Sequence, residues 1–395
     1  MSHSVAARRT ALFTLFFLPG LGIASWVTRT PDVRDLVGAS TAEMGFILFG
    51  LSIGSMIGIL LSGPLVARLG TRTMIAAGLT SVAVGVAVVG AGALVGAGPL
   101  VALGLGLFGL GMGGAEIAMN VDGAEVERLL GRSVMPMLHG FFSFGTVVGA
   151  IAGMTLTAIS FPVHLHLTIV AVLVAIAIAS AIRFLPHGFA RREKGAADAA
   201  PKAAVWKDPS LLLVGTIILA LALAEGTAND WLPLVMVDGH GFDAALGSAI
   251  YAVFAASMTI GRFFGGWFVD RFGRVAVLAA SAILGSVGLA VVIFVDSQAA
   301  AGIAVILWGI GTSLGFPVAI SAAGDSGPDS AARVSFAATI GYVAFLVGPP
   351  ALGLLGEHFG LRHALIAVLV VVAIAIFLAP AARKPEAARA ASATD

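Results

Sequence analysis

The feature that most constrains this chain is a series of long apolar runs without a charged residue. Residues 73–115 and residues 133–182 contain no Asp, Glu, Lys or Arg. Each run is long enough for two membrane-spanning helices of about 20 residues. Eight further spans fit residues 10–28, 44–67, 209–229, 244–268, 275–295, 297–324, 334–356 and 363–382. The sequence therefore predicts an all-α membrane protein with twelve transmembrane helices, only two of them interrupted by a charge, Glu225 and Arg262.

Composition excludes the common soluble classes. Only 11% of the 395 residues are charged and 59% are hydrophobic, whereas about 25% of a typical soluble domain is charged. A net charge of +1 gives no basic face for nucleic acid. Cysteine is absent, so we expect no disulfide and no thiolate metal site. The partner that this composition predicts is the lipid bilayer.

The distribution of positive charge predicts the orientation, because Lys and Arg near span ends stay cytoplasmic. With the N-terminus inside, most of the 22 Lys and Arg residues fall on the inner side. Only Arg29, Arg34 and Arg362 fall outside, and Arg262 lies within a span. Both termini are therefore expected in the cytoplasm. The Ala- and Gly-rich composition is typical of a bacterial source and thus of a multi-pass protein of the inner membrane.

One long connection divides the chain. Residues 185–209 include Arg191-Arg192-Glu193-Lys194 and lack apolar periodicity, so we interpret them as a cytoplasmic linker. The linker separates six predicted spans in residues 1–184 from six in residues 210–395. One chain then contains both halves, and a monomer suffices.

The two halves contain similar local sequences. Gly63–Gly70 follows the second span, and Gly266–Arg274 follows the eighth span about half a chain later. The second copy has Asp270 where the first has Ala67. Trp26 and Trp231 likewise end the first and seventh spans. Such an internal repeat predicts two pseudo-symmetric six-helix halves.

The second copy, G-x-x-x-D-R-x-G-R, resembles the loop signature of major facilitator transporters. This resemblance implies two six-helix halves and a cytoplasmic gate formed by the loop. We expect Gly266 to permit close approach of two helices and Asp270 to accept hydrogen bonds at a neighbouring helix N-terminus. Arg271 and Arg274 would anchor the inner interface. Because Ala67 replaces the Asp in the first copy, more of the gating is expected in the second half.

Three longer stretches resemble a narrower group, the YbjJ-like branch related to fucose permeases. They are Met119–Arg128, Met137–Ser143 and Glu225–Trp231. The superfamily resemblance implies that spans one, four, seven and ten line a central cavity. The branch itself implies architecture more than substrate.

Charged groups at membrane depth cost about 3 kcal/mol or more and are usually functional. Glu225 interrupts the seventh span, and Asn229 lies one turn later on the same face. We expect Glu225 to carry a coupling proton; the alternative is a structural carboxyl. Asp230, at the predicted outer end of this span, is a gating candidate, with an interfacial anchor or helix cap as alternatives.

The fourth and eighth spans also carry polar groups. Glu116 and Asn120 are one turn apart and present one polar face. Arg262 requires a carboxylate partner, with Glu116, Asp122 and Asp270 as candidates. A structural ion pair and a proton-responsive switch both remain open.

Other candidate ligands are a histidine and two tryptophans. His139 lies inside the fifth span and is either a relay or substrate ligand or a packed side chain, whereas His164 and His166 are expected in an outer loop. Trp26 and Trp231 are candidates for stacking on a solute. Near the first outer loop, Arg29 and Arg34 with Asp32 and Asp35 would either steer an anion or simply be solvated.

These observations predict a proton-coupled secondary active transporter of a small polar organic solute, sugar-like or related, working by alternating access. The alternative is a drug/proton antiporter that exports amphipathic compounds, and sodium coupling also remains open. An enzyme is not expected, because no paired catalytic groups are evident. No cofactor is expected: there is no Walker motif, and the G-x-G-x-x-G at residues 104–109 lies in a span without a preceding strand.

Overall fold

The structure, a computed structural model, describes residues 4–131, 134–191, 205–327 and 330–383, and all regular elements in this part of the chain are helical. Residues 192–204 of the predicted linker lie outside the described residues. The α-helices are α1 (Val5–Val27), α2 (Thr30–Val37), α3 (Thr41–Leu69), α4 (Thr71–Leu94), α5 (Gly98–Leu130), α6 (Met135–Ala158), α7 (Val163–Ala181), α8 (Pro209–Leu234), α9 (Ala244–Phe294), α10 (Gln298–Ser313), α11 (Gly315–Gly324), α12 (Ser330–Phe359) and α13 (Leu361–Leu378).

Eleven helical segments of the described chain are long and apolar enough to cross a membrane. One of them, α9, has 51 residues and a non-helical backbone at Gly273, with φ 78° and ψ 162°. Because a positive φ favours glycine, this residue provides the break that the sequence predicts between the eighth and ninth spans. With α9 taken as two segments, the described residues contain twelve helical segments of membrane-spanning length, the number that the sequence predicts. The tenth span is also broken, since α10 ends at Ser313 and α11 begins at Gly315.

Glycines let α5 pack directly against the backbones of its neighbours. A Cβ on Gly109 would lie 2.1 Å from the carbonyl oxygen of Leu51 in α3, and one on Gly111 would lie 2.2 Å from that of Gly78 in α4. Small residues allow this close approach. The resulting van der Waals contacts stabilise helix association in lipid, where the hydrophobic effect does not drive helices together. These glycines therefore serve helix packing, and the G-x-G-x-x-G at residues 104–109 lies within α5.

The chain divides into two compact units. Unit 1 comprises Met1–Ala196 and Phe242–Ala255, and unit 2 comprises Ala197–Gly241 and Ala256–Asp395. The first turns of α9 thus group with unit 1, where Ser248 Oγ donates a hydrogen bond of 2.7 Å to the carbonyl oxygen of Thr28. The assignment of six spans to residues 1–184 and six to residues 210–395 remains a prediction.

A buried ion pair joins α1 to α5 in unit 1. Arg8 Nε donates to Asp122 Oδ1 at 2.6 Å, and Thr71 Oγ1 donates to Asp122 Oδ2 at 2.6 Å. Asp122 is fully buried, and the Arg8 side chain is 10% exposed. The Arg8 guanidinium also lies 4.7 Å from the centroid of the Phe189 ring. Asp122 is therefore committed to Arg8, and its prediction as a partner of Arg262 is wrong.

The described beginning of the linker packs against the loop between α3 and α4. The backbone N–H of Thr71 donates to the Phe189 carbonyl at 3.0 Å, and Arg191 Nε donates to the Arg68 carbonyl at 2.9 Å. These bonds fix residues 185–191 to the end of unit 1 that carries the Arg8–Asp122 pair.

A second buried cluster lies at the predicted outer end of unit 1. Arg29 is 1% exposed, and it donates to His166 Nδ1 at 3.2 Å, Asp32 Oδ2 at 2.8 Å and the Phe161 carbonyl at 2.9 Å. The expectation that Arg29 and His166 belong to solvated outer loops is wrong. The turn before α7 is short, so His166 already lies in its first turns, where it is 2% exposed.

The glycine packing gives a first test. Gly109→Ala should lower the melting temperature of the detergent-purified protein, because the new methyl would overlap the Leu51 carbonyl. Gly266→Ala is the matched control, since a Cβ there meets no described atom within 4 Å. Equal melting temperatures for the two variants would contradict the backbone contact.

The Arg8–Asp122 pair gives a second test. Asp122→Asn should destabilise the protein by about 3–5 kcal/mol, because Arg8 is left as an uncompensated buried charge. Glu125→Gln, in the same helix, removes the exposed pair with Arg128 and should change stability little. Chemical denaturation in detergent measures both, and a neutral Asp122→Asn would refute the pair's structural role.

Candidate coupling and gating site

The two charges that interrupt predicted spans form an ion pair inside unit 2. Arg262 Nη2 in α9 donates to Glu225 Oε1 in α8 at 2.8 Å. Arg262 Nε also points at the carbonyl oxygen of Ser313, 3.4 Å away at the end of α10. The side chains of Glu225 and Arg262 are 15% and 31% exposed. The prediction that Arg262 needs a carboxylate is confirmed, but Glu116, Asp122 and Asp270 are the wrong partners.

The break between α10 and α11 positions the Ser313 carbonyl next to Arg262. Leu314 separates the two helices, and its backbone ends the regular bonding of α10, so the Ser313 carbonyl is available to Arg262. Opposite, a Cβ on Gly315 would lie 2.4 Å from Leu221 Cβ in α8. The absence of a side chain at Gly315 thus lets the broken helix approach the helix that carries Glu225.

Other predicted ligands lie on α8 and on α5. Asn229 follows Glu225 by one turn of α8 and is partly buried. Glu116 and Asn120 lie one turn apart in α5 of unit 1, both partly buried. Asn120 Oδ1 is buried without a hydrogen-bond partner among the described residues, so this amide has capacity to accept a bond.

Asp230 does not have the environment that its predicted end position implies. It lies inside α8, which continues to Leu234 and then through a π-helical turn at Val235–Gly239. It is 8% exposed and makes no side-chain hydrogen bond or ion pair with a described residue. A helix cap is therefore wrong, because α8 continues beyond Asp230, and the anchor and gating roles remain predictions.

The aromatic candidates and His139 differ in exposure. Trp26 is 2% exposed and Trp231 1%, so neither ring offers an open stacking face in this structure. Trp231 Nε1 is buried with no hydrogen-bond partner in the part of the chain that the structure describes. His139 is exposed in the second turn of α6, and its ring lies edge-on to Phe16 at 5.4 Å.

Four residues of the loop signature are gating candidates, and one of them, Arg274, has a charged partner. Arg274 pairs with Asp325 and donates to Ser321 Oγ at 3.2 Å. Asp270 and Arg271 are exposed and make no bond to a described side chain. A methyl group added at Gly266 would have no described atom within 4 Å. The expected close approach at Gly266 and helix-end bonds at Asp270 are therefore wrong for this structure.

In each unit, the residue that follows a positive-φ glycine bonds an aspartate of the same unit. Gly70 and Gly273 both have positive φ, 85° and 78°. The residue after Gly70, Thr71, bonds Asp122 in unit 1, and the residue after Gly273, Arg274, pairs with Asp325 in unit 2. Sequence reasoning missed Asp325. The shared spacing of loop and carboxylate in the two repeats is the signal that identifies it.

A further ion pair that sequence reasoning missed lies next to the linker. Asp208 caps α8 by accepting from the Ser210 backbone N–H at 2.9 Å and pairs with Arg333 of α12. Arg333 Nε also donates to Ser326 Oγ at 2.7 Å. The hydrogen bond from Arg333 holds the pKa of the Asp208 carboxyl below its usual value.

Comparison with known proteins decides the family. The sequence model of the Major Facilitator Superfamily matches residues 11–342. The chain belongs to this superfamily. Its members are transporters rather than enzymes, and this chain is a multi-pass membrane protein with many apolar helices.

Curated relatives cover most of the chain. An uncharacterized MFS-type transporter of Yersinia pestis is 30% identical over 344 residues, 87% of each chain. An uncharacterized transporter, y4wD, of Sinorhizobium fredii is 30% identical over 92% of this chain and 95% of its own length. Membrane protein MosC of Rhizobium meliloti is 28% identical over 92% and 87%.

Solved structures share the fold at low identity. A single-residue variant of the nucleoside transporter NupG superposes with a TM-score of 0.78 at 15% identity, over 95% of this chain and all of that chain, and NupG itself gives 0.70. The E. coli fucose:proton symporter FucP gives 0.65 at 18% identity, over 97% of this chain and all of that chain. The YbjJ-like branch remains a proposal from the sequence motifs.

The Asp208–Arg333 pair predicts a pH dependence. Because the folded-state pKa of Asp208 is lowered, its contribution to stability is present above the ordinary Asp value of about 3.9 and is lost as the pH falls through the folded-state value. The melting-temperature difference between the native protein and Asp208→Asn should therefore shrink as the pH falls from 7 towards about 3. A difference that stays constant with pH would contradict a stabilising contribution from the ionised Asp208 carboxylate.

Proposed function

We propose that this protein is a proton-coupled symporter that imports a small polar organic solute across the bacterial inner membrane by alternating access. The single observation that carries the proposal is the Glu225–Arg262 pair in the membrane-spanning part of unit 2. The proposed orientation has both termini in the cytoplasm, and the proposed functional unit is a monomer. The names of NupG and FucP support a polar solute by analogy.

The pair provides a means of coupling. Glu225 and Arg262 neutralise each other, so each stabilises the charge of the other at membrane depth. Protonation of Glu225 removes its charge and the 2.8 Å ion pair, and Arg262 then becomes available to other groups. In this proposal Glu225 binds a proton when the site is open to the more acidic side of the membrane. It releases the proton when the site is open to the other side.

Other residues have proposed supporting roles. Glu116 is a second candidate for proton coupling. Proposed substrate ligands are the polar and aromatic candidates that the sequence predicts; they are Asn120, His139, Asn229, Trp26 and Trp231. Proposed gating residues lie in the loop signature and at the predicted outer end of the seventh span; they are Gly266, Asp270, Arg271, Arg274 and Asp230.

Proteoliposomes with an enclosed pH-sensitive dye test this function. Sugars, polyols, organic acids and cationic drugs are added one at a time. We expect one class of polar solute to drive proton uptake, and Glu225→Gln to abolish it because the variant side chain has no proton to exchange. Glu125→Gln is the control, since it removes a carboxylate of the exposed pair with Arg128, and it should retain uptake.

Three results would contradict the proposal. Gradient-driven accumulation by Glu225→Gln across the pH range would remove Glu225 from coupling. Proton movement with cationic drugs alone would favour drug/proton antiport. If no solute moves protons but a sodium gradient drives solute uptake, Na⁺ is the coupling ion.

A further inference from the structure

We infer that Arg262 is the binding site for a carboxylate group of the transported solute, which takes the place of Glu225 on the guanidinium. This inference rests on the proposed function and narrows its solute class to small organic carboxylates. It begins from the hydrogen-bonding capacity of the arginine. A guanidinium has five N–H donors in a planar fork that matches a carboxylate.

Arg262 uses little of that capacity. Its described bonds are one from Nη2 to Glu225 and one long bond from Nε to the Ser313 carbonyl. Nη1 donates to no described residue, and the side chain is 31% exposed. By contrast, Arg29 in unit 1 uses Nε, Nη1 and Nη2 and is 2% exposed. Arg262 is therefore an ion-paired arginine with donors left for a ligand, whereas Arg29 is a structural one.

The segments around the pair contain few other charges. The segments α10 and α11 contain no charged residue. Along α9 the next charge, Asp270, lies about 12 Å from Arg262 on the helix axis. On α8, Asp230 lies about 140° around the helix from Glu225.

Two other arginines of unit 2 already have carboxylate partners. The charged residues of α12 and α13 with described side chains are Arg333, Glu357 and Arg362. Arg333 and Arg362 have other carboxylate partners, Asp208 and Asp296. Glu225 is the one described carboxylate bonded to Arg262, so a ligand carboxylate would compete with Glu225 for this guanidinium.

Charge balance then couples the solute to a proton. A carboxylate that displaced ionised Glu225 would leave that side chain as an unpaired charge, which is strongly unfavourable in a partly buried site. If a proton binds a Glu225 oxygen at the same time, the site holds one cation and one anion before and after exchange. A neutral polyol brings no replacement charge, and a cationic solute is repelled by Arg262. The pair therefore favours one carboxylate with one proton.

Matched probes test the inference. Lactate is compared with lactamide and gluconate with glucitol, by thermal shift of the purified full-length protein and by proton uptake in proteoliposomes. We expect the two acids to stabilise the protein and drive proton uptake, and the two neutral compounds to do neither. Sodium chloride at equal ionic strength controls for salt.

Variants separate binding from folding. Arg262→Gln should weaken acid binding by about tenfold or more, as expected for loss of a charged, bidentate contact. Arg262→Lys keeps the charge without the fork and should retain folding with intermediate affinity. Glu225→Gln should still bind the acids, with an affinity that no longer depends on pH. Arg128→Gln, at the exposed pair with Glu125, should behave as the native protein.

The outcomes distinguish this inference from the proposed function. Proton uptake driven by glucitol but not by the acids would overturn the carboxylate site and leave proton symport intact. Binding of the acids unchanged in Arg262→Gln would also overturn it. Failure of both acids to bind the native protein counts against the inference, and failure of every solute class to move protons counts against the proposed function.

Discussion

The cost of placing charge in a membrane is the constraint on which the rest of this structure depends. Almost all charged residues are excluded from the apolar spans, and Arg8 with Asp122 in unit 1 and Arg262 with Glu225 in unit 2 are each paired within their own unit. The two pairs differ in exposure: Asp122 is fully buried, whereas Glu225 and Arg262 keep part of their surface. The first pair therefore has the properties of a structural link and the second those of an exchangeable one.

Close helix packing gives the pairs their fixed geometry. Where a glycine replaces a larger residue, backbones approach to within direct contact, as at Gly109 against α3, and the broken tenth span approaches α8 at Gly315. The break after Ser313 then presents a backbone carbonyl to Arg262. Sequence elements that carry no charge thus determine which groups a charged side chain can reach.

Much of the fold could be predicted from the sequence, because hydrophobic run length and glycine spacing are local properties. The spans, the break between the eighth and ninth spans and the need of Arg262 for a carboxylate were all evident in this way. Partners were less predictable, since they depend on the rotation and register of one helix against another. Asp122 is thus a predicted partner of Arg262, whereas Arg8, far away in sequence, binds it. His166 is predicted in an outer loop but lies in the first turns of α7, because the turn before this helix is short.

Coupling through the Glu225–Arg262 pair requires that Glu225 takes up a proton when solute binds. Solute-induced infrared difference spectroscopy measures this directly, because a protonated carboxyl has a C=O stretch that a carboxylate lacks. We expect a transported solute to produce this band in the native protein and Glu225→Gln to remove it. A band that persists in Glu225→Gln, or no band in a native protein that transports the solute, would contradict proton uptake by Glu225.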